Sequence, residues 1–293
     1  MYRLLNEQGW SKQRRELLRR PPCQRPQLVA RGPNEVWSWD ISNIKGPAKG
    51  LFFKLYVVLD LFSRAVVGWC VSGTESGALA RDLVEQSCNR HGIDPNQLTL
   101  HSDRGAAMVS TPLRDLLEKL DVHHSFARPY TPNDNPYSEA HFRTLKDHPS
   151  FPESFGSLED SVRFFRVFFN WYNHQHYHSG IAFLPPAVVH TGQQDSWLAQ
   201  RQRTLDVAYA AHPERFSSSP RPPPLPDEVW INPPPESDAT TTTSVLFSAC
   251  EGAGGGGRGP AVPGIWPGCV APQRVRVRPV ALESGWSPGR YAR

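Results

Sequence analysis

Hydrophobic and polar positions change period several times along the chain, and each change marks an element. Over 36–44, VWSWDISNI alternates apolar and polar residues, the period-two signature of a half-buried strand. FFKLYVVLDLF at 52–62 is almost continuously apolar, which suits a central strand covered on both faces. AVVGWCVSG at 65–73 is a third strand, rich in β-branched residues. Only Ser63 and Arg64 separate the last two, too few for a helix, so they are expected to form an antiparallel hairpin. From 76 the spacing turns helical. Ala80, Leu83, Val84, Ser87 and Cys88 recur on one face, and Gly92 stops the helix at about 91.

QLTLHSD (97–103) and VHHSFA (122–127) read as short strands. Between them Thr111-Pro112 opens a helix over 112–120. A loop rich in Pro, Asn and Asp (128–136) leads into a helix over 136–147. SLED at 157–160 is a capping box that opens an aromatic helix to about Asn173, and a further helix is expected over 193–211. The order β-β-β-α-β-α-β-α-α predicts an α/β fold, a mixed five-stranded sheet with helices on its faces.

Composition sets the boundaries. Within the first thirty residues, seven Arg and Lys stand against Glu7 and Glu16, so 1–32 reads as a basic arm, with a helix over 10–20 ended by Pro21-Pro22. A solvated linker and a DNA-contacting arm are both open readings of it. The core is expected at 33–190 and a helical extension at 191–212. RPPPLP (221–226), NPPPE (232–236) and GAGGGGRGP (252–260) predict a mostly disordered, Pro/Gly-rich tail over 213–293. The formal charge of +4 fits a nucleic-acid partner without requiring one. Five scattered cysteines with no CxxC pair predict reduced thiols in the cytoplasm. No apolar run reaches membrane-spanning length and none at the start resembles a signal peptide, so no membrane partner is expected.

Three carboxylates stand out by placement. Asp40 lies mid-strand in WSWDIS, where a charge is expensive unless it has a use. Asp103 ends the fourth strand, and the ends of α/β strands are where sites are built. Glu139 falls in the first turns of the helix after the loop, with thirty-five residues between it and Asp103. Taken singly, each has a plain reading: a turn or cap for the aspartates, helix-dipole compensation for Glu139. Asp60 and Asp134 compete, but read better as the cap of the hairpin turn and as a turn former. Three carboxylates together are what two Mg²⁺ ions, or Mn²⁺, require for phosphodiester chemistry.

The pieces VWSWDIS, YVVLDLFSRAVVGW, LTLHSDRG, NDNPYSEAHFRTLK and FFNWYNHQHYHSGI resemble the integrase core of bacterial insertion-sequence transposases related to retroviral integrase, over about Pro33 to Val189. The resemblance implies a ribonuclease-H-like fold and makes Asp40, Asp103 and Glu139 a metal-binding DDE triad. It implies DNA cleavage and strand transfer, DNA as partner, and a homo-oligomer assembled on it in the nucleoid. Lys146, two helical turns beyond Glu139 on the same face, is implied as a DNA contact. Arg143 and Arg104 are weaker candidates. Asn135 and Tyr137 are expected to shape the loop before the helix and to join the DNA-binding set. His101 is expected to pack, orienting a metal-bound water being the alternative, and of His174, His176 and His178 only the first and last are spaced for shared ligation, so zinc is given little weight. Such transposases carry a helix-turn-helix region before the core, of which 1–32 reads as a remnant, so an upstream helix-turn-helix protein is an expected partner. Tyr177 stands where the family commonly has Arg, and the tail after about Pro235 matches nothing in it. The alternative is a catalytically silent DNA-binding remnant. A ribonuclease of the same fold is disfavoured by the spacing and by NDNPYSEAHFRTLK.

Overall fold

A computed structural model describes residues 24–234, together with Leu4, Glu7 and Gln8. The expected helix at 10–20 and the low-complexity part of the tail lie outside the described residues. The strands are β1 (Leu28–Ala30), β2 (Val36–Lys45), β3 (Phe52–Asp60), β4 (Val66–Ser72), β5 (Thr99–Ser102), β6 (His123–Phe126) and β7 (Val229–Ile231). The helices are α1 (Gly77–His91), α2 (Thr111–Lys119), α3 (Pro136–Lys146), α4 (Leu158–His174), α5 (Pro186–His190) and α6 (Gln194–Ala211). A 3₁₀ turn, Pro132–Asp134, immediately precedes α3.

The main sheet has the order β4-β3-β2-β5-β6. β2 pairs antiparallel with β3, and β3 with β4, as expected for a hairpin. β5 joins β2 in parallel, and β6 joins β5 in parallel. This is the mixed five-stranded, helix-flanked sheet expected of a ribonuclease-H-like core. The β3–β4 turn is closed by Asp60, whose Oδ1 accepts from both the amide (2.7 Å) and hydroxyl (2.6 Å) of Ser63, while Arg64 takes the left-handed φ of +64°. Asp60 is therefore the turn cap its position suggested.

The alternation in β2 has a different meaning from the one expected. Trp37 and Trp39 are fully buried against α1 and α2, and Ser38 on the opposite face is fully buried too. β2 is a central strand whose polar face is covered by α3 rather than by water. The other apolar cluster packs Leu55, Val57 and Leu59 of β3 against Phe165, Phe168 and Phe169 of α4. Each such aromatic, fully buried, stabilises the fold by about 1.5–3 kcal/mol. Ser157 caps α4, accepting from Asp160 N at 3.1 Å, so the hydroxyl half of the capping box forms. The cap of α2 is Ser110 rather than Thr111.

The start of the expected tail needs correction. β7 pairs antiparallel with β1, Leu28 opposite Ile231, and Val229 and Ile231 are buried with Ala30, Val36 and Leu61. Residues 229–231 thus lie against the core, because two β-branched residues find an apolar cluster that chain order alone does not reveal. Among the described residues no helix is long and apolar enough to cross a membrane. Cys70 and Cys88 are free, and burial pushes both thiols up to about 11.

Candidate active site

β2 makes the floor of the site. Its pairing with β5 ends at Trp39–Ser102; Asp40 continues in β2 opposite Val57 of β3, while Asp103 leaves the sheet where β2 and β5 part. Asp40 sits on the face shared by Ser38 and Ser42, as the strand period requires. Its Oδ1 accepts from Ile41 N at 2.7 Å. Burial, and then repulsion from Asp103 and Glu139, push its carboxyl up to about 7, while Ile41 N–H and Lys146 pull the other way. All three expected carboxylates are therefore in one electrostatic neighbourhood. Asp103 is exposed and its Oδ1 accepts from Gly105 N at 2.9 Å. A Cβ at Gly105 would press on that oxygen at 3.1 Å, so glycine leaves the carboxylate room. Glu139 is exposed in the first turn of α3.

As they stand, no three His, Cys, Asp or Glu side chains among the described residues are close enough together to enclose an ion. Two of the three carboxylates are turned onto backbone amides of their own segments. Their chemistry still suits a hard cation: they offer oxygen donors only, two on short Asp side chains and one on a longer, more flexible Glu.

α3 is fixed to β2 by a small buried polar group that the sequence did not announce. Ser38 Oγ donates to Asn135 Oδ1 (2.5 Å) and lies 2.6 Å from Ser138 Oγ. Asn135 Nδ2 donates to Trp39 O at 3.4 Å. Ser38 and Ser138 are the positions missed. The available signals were Ser38 two residues before Asp40 on the same strand face, and Ser138 next to Glu139.

The expected DNA-contact residues divide. Lys146 is exposed at the end of α3, donates to Ser42 Oγ at 2.8 Å and acts on Asp40, so it borders the carboxylates. Arg143 is exposed on the same helix, and Arg104 is exposed beside Asp103 with its guanidinium 5.0 Å from the Phe126 ring. Asn135 and Tyr137 lie in the scaffold next to the carboxylates. Asn135 is buried, its amide consumed by Ser38 and Trp39. Tyr137 lies under the Arg64 guanidinium, 4.0 Å away, and donates to Trp230 O at 3.0 Å. Both hold the scaffold rather than present themselves to a ligand. His101 is fully buried between Ser125 Oγ (3.1 Å) and Asp134 O (2.8 Å), the packing role expected of it. Asp134 is fully buried in a two-point pair with Arg128, which holds its carboxyl below the usual carboxylate range. Within the histidine run, His178 Nδ1 accepts from Gly180 N and His176 stacks on Tyr172.

Two family profiles, both described as Integrase core domain, match residues 30–132 and 120–186. The transposase for insertion sequence element IS904 of Lactococcus lactis is 30% identical over 168 residues, 55% of this chain and 65% of that protein. Transposase InsF for insertion sequence IS3A of Escherichia coli K12 is 32% identical over 132 residues, 45% of each chain. The chain thus spans from just under half to just under two thirds of these relatives' lengths. Among solved structures, a chain of the simian T-cell lymphotropic virus intasome in complex with PP2A regulatory subunit B56 gamma has a TM-score of 0.45 at 21% identity, over 71% of this chain and 63% of that one. The HTLV-2 integrase catalytic core domain in complex with magnesium has a TM-score of 0.41 at 18% identity, over 54% and 97%.

Proposed function

Residues 30–186 being an integrase core domain of the kind insertion-sequence transposases carry, we propose that this chain is a DDE-type polynucleotidyl transferase that cuts and joins DNA strands at Asp40, Asp103 and Glu139. The observation that carries this reading is Asp40. A carboxylate set mid-strand, screened from water and repelled by two others that arrive from β5 and α3, is stabilised by a cation between them. Bound there, two Mg²⁺ ions, or Mn²⁺ in their place, would stabilise charge on the attacking and leaving oxygens of a phosphodiester.

The chain's own residues have distinct tasks in this reading. Asp40 is held to the rigid central strand. Asp103 and Glu139 would hold the cations together with it. Ser38, Asn135 and Ser138 keep α3, and with it Glu139, in register with β2. Lys146, Arg143 and Arg104 offer exposed cations to phosphates, which fixes the strand against the carboxylates and makes binding weaken steeply with salt. Such contacts position the backbone without reading sequence. Recognition of element ends falls to the basic arm or to an upstream helix-turn-helix protein. Joining two ends to one target calls for at least two copies on the DNA, in the nucleoid. The catalytic core proposed at 33–190 is completed by residues 229–232, which pack on it.

Incubation with short duplexes carrying the element ends, in Mg²⁺ or Mn²⁺, tests the proposal. Expected are nicked and strand-transfer products from the natural chain and none from Asp103→Asn. Binding without turnover in either metal would leave the silent DNA-binding remnant.

A further inference from the structure

The last described strand reaches the scaffold of the acidic site at two points. Tyr137, two residues before Glu139, donates its hydroxyl to the carbonyl of Trp230 on β7, 93 positions further along the chain. One residue past β7, Asn232 donates Nδ2 to Asp134 Oδ1 at 2.8 Å and to Pro26 O at 3.0 Å. Asp134 ends the turn that leads directly into α3. Its carboxylate also takes Arg128, and its carbonyl faces His101 of β5. Asn232 therefore joins the β1–β7 ribbon to a residue that ties the loop to β5 through His101.

The two contacts bracket the N-terminus of α3, one on the turn before it and one in its first turn. On the opposite side that terminus is held by Ser38. β7 is only three residues long and pairs only with the three residues of β1, so its hold comes from burying Val229 and Ile231. Asn232 itself takes a left-handed φ of +56°, which Asn tolerates better than most residues and which aims its amide back at the loop.

Resting on the function proposed above, we propose that residues 229–232 are a clip that sets the position of Glu139, with Tyr137 and Asn232 as positioning residues. Divalent-cation affinity at the acidic site then depends on a distant segment that touches neither carboxylate nor cation. Residues one shell outside a metal site commonly change affinity by about ten- to a hundredfold, and a shift toward the lower end is expected here.

The test uses the full chain, with Mn²⁺ alone as probe, titrated by electron paramagnetic resonance, and amide hydrogen exchange of 128–140 as a second readout. Asn232→Ala and Tyr137→Phe should each weaken Mn²⁺ binding, on the order of tenfold for Asn232→Ala, and speed exchange over that segment. Leu184→Ala, in a separate apolar cluster, should lower thermal stability while leaving Mn²⁺ affinity unchanged, which separates positioning from mere stability. Tyr137→Phe keeps the ring under Arg64 and deletes the hydroxyl with its bonds to Trp230 O and Arg64, so it decides the matter if Asn232→Ala does not fold. Unaltered Mn²⁺ affinity and unaltered exchange in the variants would overturn the clip. Should the natural chain lack a Mn²⁺ site that Asp40→Asn abolishes, the proposed function fails instead, and the exchange comparison still decides the clip.

Discussion

Asp40 holds its proton up to about pH 7 because β2 screens it from water and two further acids face it. The folded form thus binds a proton that the unfolded chain, with an ordinary carboxyl near 3.8, releases. Stability attached to this group is present below about pH 4 and is lost as pH rises towards 7. Without divalent ions, Asp40→Asn should therefore raise the melting temperature at pH 8 and bring much less gain at pH 4, as calorimetry in a chelator would show. Saturating Mg²⁺ at pH 8 should stabilise the natural chain, by about 2.7 kcal/mol at a hundredfold excess over Kd, and leave Asp40→Asn unmoved. Lys146→Ala should weaken duplex binding for all sequences alike and reduce the salt slope by about one, measured by fluorescence anisotropy across a salt series. Asp40 was legible because a lone charge breaks the apolar rhythm of VWSWDIS. Ser38 was not, since a buried serine and a surface serine look the same until the strand that carries them is known to be covered on both faces.

Elements carry the next level of dependence. α3 delivers Glu139 and Lys146, yet its start is secured by the Ser38 side chain of β2 and the Trp230 carbonyl of β7 rather than by a cap of its own, Asn135 making no side-chain cap bond. Ser138→Ala leaves Ser38 and Asn135 with a broken network in a buried place and should cost about 1–3 kcal/mol, read by urea denaturation, with a larger relative loss of strand transfer than of DNA binding. The helices and central strands were legible from period alone, since each buries a long regular face. β1, β7 and α5 were not. Three or five residues carry too little periodicity, and the β1–β7 pair joins segments some two hundred positions apart. Proline-rich flanks on β7 pointed towards an extended, unpacked chain, and the burial of Val229 and Ile231 outweighed them. The partners of Asn135 and Tyr137 were not legible, because the loop they end is drawn inward by Arg128, Asp134 and Asn232.

For the molecule as a whole, histidines set the response to acid. Burial holds His124 and His178 down to about 4 and His141 down to about 3, from an ordinary 6.5. They stay neutral in the fold while the unfolded chain takes up protons, so stability is lost as pH falls from about 6.5 towards 4. His91, His101 and His176 are held down by burial too, Asp40 opposes with a single proton, and the denaturation midpoint should be lower at pH 5 than at pH 7. His141 is buried with neither ring nitrogen bonded, so its imidazole stabilises nothing by hydrogen bonding. The central claim is that three acids from β2, β5 and α3 close on a shared pair of divalent ions. Crystals soaked in Mn²⁺ and measured by anomalous diffraction test it directly. The account predicts manganese bound by Asp40 and Asp103 together, with Glu139 rotated to join them. Manganese bound elsewhere, or the three carboxylates remaining apart at saturating metal, would contradict it.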